Sequence, residues 1–390
     1  MDRHAPPVLG TLNARLDAVI DRALAESRLV GTVVVVARDG EPVYRRAAGL
    51  ADREHGLPMR EDALFRLASL TKPIVSAAAL ALVERGRLSL HAPLAEVLPE
   101  FVPRLPNGAP ATVSVHHLLT HTAGFSYGFF EAADGPYHLA GISDGLDMPG
   151  RSMAEQLQRI ASVPLLFEPG AGWRYSVGTD VLGAVIARVT GQTLPDTIAT
   201  LVTGPLAMAD TAFGVRDRQR LATPYADGVP AGSPPVRMEA RTVVPFIEPA
   251  LAGISFAPDR VFDPASFPSG GGGMVGGADD FLRFLESIRT DRSVISPAMS
   301  QALRNNQTGD LLIDTRGPGW GFGYGGSVLL DPAAAATPQS AGTWQWGGAY
   351  GHGWFVDPVE KLTVIALTNT AVEGLTGRFG IDVRDAVYGV

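Results

Sequence analysis

The chain is predicted to fold as an α+β protein, with an antiparallel sheet built from both chain ends, flanking helices, and an inserted α-helical lobe. Three observations carry this. A strand-like run, Val33-Val34-Val35-Val36, lies near the start, and others cluster near the end, over 323–330, 343–346, 354–356 and 362–368. Between them the apolar residues recur at helical spacing, as over 71–85 and 181–189. The late strands follow one another across turns, one holding Asp357-Pro358, in the manner of an antiparallel meander.

Taken in order, Leu12, Leu16, Val19, Ala23 and Leu24 share one face and predict a helix over 11–28. After the valine run, Asp39-Gly40 is a hairpin signal, and the chain returns as a strand around Val43-Tyr44. The helix over 71–85 carries Pro73 in its first turn, where proline is tolerated, and Gly86 ends it. From 88 to 170 only short helical pieces appear, over 116–120 and 153–161, separated by turns with Pro and Gly. The expected division is a discontinuous sheet domain, 1–87 and 170–390, with a helical domain at 88–169. Residues 224–273 end in four glycines, Gly270 to Gly273, and read as long ordered loops. A short helix over 381–388 closes the chain.

Composition narrows the function. Apolar residues make up 46% and charged residues 18%, enough for a large core and contrary to disorder. The net charge of −8, with acids scattered along the chain, argues against nucleic acid or an anionic membrane as partner. No cysteine is present, which removes disulfides, thiol nucleophiles and thiolate metal sites and fits a cytoplasmic protein. Met1 to Pro7 lack the basic and apolar regions of a secretory signal, and the longest apolar runs fall far short of a membrane span.

The chain has two lysines, Lys72 and Lys361, among 32 basic residues. Lys72 stands three residues after Ser69, at the head of a helix. Arginine holds its proton in a protein, whereas a buried lysine can release one and act as a base. A serine one helical turn away is then an activated nucleophile, with helix N-terminal amides at hand for an oxyanion. The plainer alternative is a capping serine beside a solvated lysine. Tyr175, just before a helix, offers a phenol able to relay protons, although a lone tyrosine more often anchors a turn. Trp346-Gly347-Gly348-Ala349 on a late strand would let an acyl group lie against the backbone, or else marks a bulge.

In this order and spacing these elements resemble the serine β-lactamase, penicillin-binding protein and family VIII carboxylesterase group, whose signature includes S-x-x-K. Phe65 to Pro73, His117 to Gly124, Tyr175 to Gly183 and Gly317 to Gly323 all look like the esterase branch, so the resemblance covers nearly the whole chain. It implies a β-lactamase/DD-peptidase-like fold. It also implies a Ser69 nucleophile, Lys72 and Tyr175 as its proton partners, and an oxyanion hole from the amides of Ser69 and Ala349. No cofactor and no metal are expected. Val177 stands where lactamases usually carry Asn, and Trp346 where they carry Lys or His. Losing such charge-assisted contacts costs ~1.5–3 kcal/mol, so short neutral esters are the expected substrates, with acyl transfer to an alcohol as side activity. A β-lactamase or D-amino-acid peptidase of the same fold is the nearest alternative.

Core packing is the default for Phe125 and Tyr127, but the same resemblance puts their loop at the border of the acyl pocket and makes them candidate walls, with Val177 as further apolar surface. His352, close after the Trp346 strand, either lines the pocket or satisfies the end of the sheet. Two other patterns compete. Gly141-Ile142-Ser143-Asp144-Gly145 matches the G-x-S-x-G elbow of α/β-hydrolases, but lacks the strand before and the helix after that the elbow needs. His117 and His121 are spaced i, i+4 without the glutamate of a zinc motif, and read as structural.

Overall fold

The computed structural model describes residues 9–230, 232–292 and 294–390; Met1 to Pro7, read above as lacking a signal, lie outside the described residues. Eight strands form one sheet in the order Trp320–Phe322, Ser327–Leu329, Trp344–Gly348, His352–Asp357, Leu362–Thr368, Gly31–Arg38, Glu41–Asp52, Leu57–Pro58. Every neighbouring pair is antiparallel. The two chain ends meet at its centre, where Val34 faces Ala366 and Val36 faces Val364.

The valine run is continuous rather than alternating because both faces of its strand are buried. Val34 and Val36 pack with Leu16, Ile20, Phe379 and Val383 from helices Leu9–Ala25 and Arg378–Tyr388. Val33 and Val35 point to the opposite face and its much larger core. Asp39 (φ 52°) and Gly40 (φ 89°) both adopt the left-handed conformation that a tight hairpin turn between twisted strands demands.

Helix Thr71–Glu84 runs through the larger core, with residues 71–82 all buried. A helix that is apolar on every side belongs inside, and the run Ala77-Ala78-Ala79 leaves room for neighbours on all of them. Residues 88–169 carry short helices, among them Val115–Thr120 and Met153–Ser162. Their apolar side chains join the same continuous core as the sheet. We propose them as an inserted lobe that shares this core.

Three expectations need correction. The stretch 323–330 is not one strand but the turn and second arm of a hairpin, Trp320–Phe322 with Ser327–Leu329. Its glycines, Gly323, Gly325 and Gly326, make the bend. Two further helices, Ala278–Arg289 and Pro297–Arg304, went unread. The first buries Phe281, Leu282, Phe284, Leu285 and Ile288 on one stripe and packs on the central strands. The loops over 224–273 contain short paired strands, Tyr225–Ala226 with Val236–Arg237 and Thr242–Val244 with Ile254–Phe256. Among the described residues no helix is long and apolar enough to cross a membrane.

Candidate active site

Ser69 sits in a single 3-10 turn, Ala68–Leu70, that runs directly into helix Thr71–Glu84. The preceding residue, Ala68, is fully buried with φ of 46°, a left-handed conformation that costs a non-glycine residue ~1–3 kcal/mol. Its neighbours hold it there. The Leu67 amide donates to Met274 O at 2.9 Å, and the Met274 amide to Thr71 Oγ1 at 3.1 Å. The bend turns the serine toward a cavity of about 520 Å³.

Two groups converge on the Ser69 hydroxyl. Lys72 Nζ lies 3.2 Å from Ser69 Oγ, and Tyr175 Oη donates to it at 2.7 Å. Lys72 is 2% exposed, and its Nζ also donates to Gly271 O at 2.8 Å. It lies over the Tyr175 ring, 4.6 Å from the centroid, and 5.3 Å from that of Tyr127. Tyr175 is delivered by the segment leading into helix Gly178–Thr190. Its ring is packed among His121, Trp346 and Tyr127 at centroid distances of 4.7, 5.0 and 5.1 Å, and Trp346 Nε1 donates to its hydroxyl at 3.1 Å. Ser69 and its near neighbour Lys72 thus meet Tyr175, 106 residues further along than the serine, within hydrogen-bond reach of the serine hydroxyl.

The carbonyl that accepts from Lys72 is itself braced. Asp180 Oδ1 accepts from the Gly271 amide at 3.0 Å and from Ser269 Oγ at 2.6 Å. Burial pushes the Asp180 carboxyl above the usual carboxylate range, against the pull of these two donors and of Lys72. Gly271 sits in a tight spot, since a Cβ there would stand 3.0 Å from Tyr127 Oη and 3.2 Å from Asp180 Oδ2 and would press on both. The glycine run hinted at such a close approach. The role of Asp180 had no signal in the sequence, because an acid in a helix's first turn reads as an ordinary partner of the helix dipole.

The cavity is lined by Ser69, Tyr127, Tyr175, Trp346, Gly347 and Ala349 from the expected set. It also takes in Phe246, Leu251 and Ile254, from a stretch read only as loop, and Asp144, Glu248 and Arg316. Asp144 Oδ1 accepts from the Gly128 amide at 2.8 Å, and burial next to Asp147 holds its carboxyl well above the ordinary range.

Four expected pocket residues do not line this cavity. Phe125 is 1% exposed and packs against Phe101 in the core. Val177 is fully buried at the start of helix Gly178–Thr190. Gly348 is pressed against the Leu67 carbonyl, which a Cβ would meet at 2.6 Å. His352 is fully buried, where its Nδ1 accepts from the Thr368 amide at 3.3 Å. That fixes the proton on Nε2, which donates to Arg66 O at 2.8 Å, and burial lowers its pKa to about 4. It is a neutral strut between the sheet and the segment before Ser69.

The competing patterns go elsewhere. Ser143 is fully buried and donates to Asp147 Oδ1 at 2.5 Å, and its neighbourhood is turns rather than strand and helix. His117 closes a capping box with Ser114 at the start of helix Val115–Thr120. His121 lies against Tyr175, with its Nδ1 3.2 Å from Ser176 Oγ, and burial depresses its pKa well below the usual value. Among the described residues no three potential ligands gather into a metal site.

Comparison with known proteins adds to this geometry. A family model described as Beta-lactamase matches residues 16–386. Esterase EstB of Burkholderia gladioli is 55% identical over 378 residues, 97% of this chain and 95% of that protein. The solved structure of EstCE1, described as a hydrolase with promiscuous acyltransferase activity, superposes with a TM-score of 0.92 at 41% identity, covering 98% of this chain and 99% of that one. D-amino acid amidase from Ochrobactrum anthropi SV3 shares the fold, with a TM-score of 0.68 at 20% identity over 97% and 99% of the two chains.

Proposed function

The chain belongs to the beta-lactamase family, and from that premise and its cavity we propose a serine carboxylesterase that cleaves short-chain esters through an acyl-enzyme. The observation that carries the reading is the Ser69 hydroxyl held between Lys72 Nζ at 3.2 Å and Tyr175 Oη at 2.7 Å on the wall of a mostly apolar cavity. A relative points the same way, since the protein 55% identical over 97% of this chain is described as an esterase.

In the proposed reaction the Tyr175–Lys72 pair is one proton short, with Lys72 Nζ as a neutral amine; Ser69 Oγ attacks the ester carbonyl carbon as its proton passes to that pair. The tetrahedral oxyanion is received by the amides of Ser69 and Ala349, both on the cavity wall. When the intermediate collapses, the bond from carbonyl carbon to alcohol oxygen breaks, and the alcohol leaves with the proton through Tyr175. A water then gives its proton to the same pair and attacks the acyl carbon, releasing the acid and restoring Ser69. The apolar part of the cavity lining favours an alcohol as acceptor and supports acyl transfer as a side reaction. The absence of cysteine supports a cytoplasmic setting.

The test is a fluorophosphonate adduct located by mass spectrometry. The expected result is a single label on the peptide containing Ser69, lost in Ser69→Ala along with ester turnover. A label on the Ser143 peptide, or full turnover by Ser69→Ala, would refute the reading.

A further inference from the structure

The expectation of neutral substrates came from Trp346 standing where lactamases hold a cation. The structure returns a cation to the cavity from a different loop. Arg316 lines the same cavity as Ser69. Its guanidinium carbon lies 5.0 Å from the Trp346 ring centroid and 5.6 Å from that of Trp320. No carboxylate of the described residues comes within ion-pair distance of it. The other arginine on the cavity wall, Arg174, is already engaged, donating to Asp314 Oδ2 at 2.9 Å and covering the Phe130 ring. Lys72 is likewise committed to Ser69 and Gly271.

We propose that Arg316 binds a carboxylate on the alcohol portion of the substrate, so that the preferred esters are O-acyl hydroxy acids rather than neutral esters. The inference deepens the esterase reading and rests on it. A half-buried guanidinium without a counter-ion carries a desolvation penalty that two indole faces only partly offset. Its planar fork matches a carboxylate in two parallel hydrogen bonds, a fit that an ammonium cannot give. The side of the cavity follows from Trp346, whose indole N–H donates to Tyr175 Oη while its ring carries Arg316. Arg316 therefore shares a wall with the phenol that hands its proton to the departing alcohol. The acyl group is left the apolar lining of Phe129, Phe246, Leu251 and Ile254.

The acids on the cavity do not cancel this cation. Asp314 is paired with Arg174, Glu248 is exposed to solvent, and burial favours the neutral form of Asp144. Burial also lowers the Arg316 pKa, to about 10, with nearby Tyr175 opposing, which leaves the guanidinium charged at neutral pH.

The experiment compares acetate release from 3-acetoxybenzoate and from the uncharged 3-acetoxybenzamide. Wild-type enzyme is expected to favour the carboxylate by about ten- to a hundredfold in kcat/KM, chiefly through KM. In Arg316→Met that ratio is expected to fall to about one, with Arg316→Lys between the two. Benzoate is expected to inhibit wild-type enzyme more strongly than benzamide, a measurement that needs no variant to fold. A wild-type ratio near one, equal inhibition by benzoate and benzamide, or an unchanged ratio in Arg316→Met would overturn the inference while leaving the esterase standing. Acetate release from neither compound, or release by Ser69→Ala at the wild-type rate, would overturn the esterase reading and this inference with it.

Discussion

Trp346 donates its indole N–H to the hydroxyl of Tyr175 at 3.1 Å, and that hydroxyl in turn points its hydrogen at Ser69 Oγ, 2.7 Å away. The indole thereby fixes the direction in which the phenol can donate. The indole of Trp346 is thus part of the hydrogen-bond chain that reaches the serine.

Removing the phenol separates chemistry from stability. Tyr175→Phe is expected to lower kcat by ~10²–10⁴, the usual contribution of a positioned proton-transfer group. It also orphans the buried Trp346 N–H, at ~1–3 kcal/mol of folding stability. Adding Trp346→Phe should recover part of that stability in urea unfolding without recovering turnover. Near-native turnover in folded Tyr175→Phe would count against the relay.

Lys72→Arg keeps the charge and loses the ability to release a proton. Turnover is expected to fall by ~10²–10⁴ in protein that still unfolds cooperatively. Steady-state kinetics on the folded variant decide it, and activity within a few-fold of wild type would remove Lys72 from the chemistry.

Ser143→Ala tests the competing serine. Ester turnover should persist, because Ser143 is sealed behind the Asp147 contact and does not line the cavity. Stability should drop by ~1–3 kcal/mol, since a buried carboxyl loses its hydroxyl donor. Loss of turnover with unchanged stability would reverse the assignment of the two serines.

His352 makes a pH prediction. Its pKa falls from 6.5 to about 4 on folding. Above pH 6.5 both states hold it neutral; between 6.5 and 4 the unfolded chain binds a proton that the native state refuses, so stability falls as pH falls; below 4 the loss is complete. The gap corresponds to ~3 kcal/mol. Asp227, raised to about 7 by burial, works in the opposite direction over an overlapping range. The contribution of His352 is therefore read from the difference between wild type and His352→Gln, measured by urea unfolding from pH 7 to 4. The variant should lose less stability on acidification, and parallel curves would show that the ring does not titrate as described.

Much of this site was legible because its chemistry is local. Ser69 and Lys72 are one helical turn apart, so their meeting follows from helix geometry alone. Tyr175 was legible as a motif, but its approach to Ser69 depends on packing around His121 and Trp346 that no spacing encodes. The walls from Phe246 to Ile254 were read as loop because their apolar residues follow neither a helical nor a strand period. Val177 and Phe125 were assigned to the pocket by analogy, and the core claimed them. Helix Ala278–Arg289 is different, for its stripe of Phe281, Leu282, Phe284, Leu285 and Ile288 was in plain view. Arg316 could not stand out among so many arginines, since only the lack of a partner distinguishes it.

The pairing of Gly31–Arg38 with Leu362–Thr368 at the middle of the sheet also governs how the protein is made. A ribosome exposes the first of these strands long before it has polymerised the second, so the nascent polypeptide must keep its early valines out of trouble until synthesis is nearly done. Such distant closure makes for slow maturation and a sticky half-made intermediate. A stop codon just upstream of position 362 would delete the centre of the molecule rather than its edge.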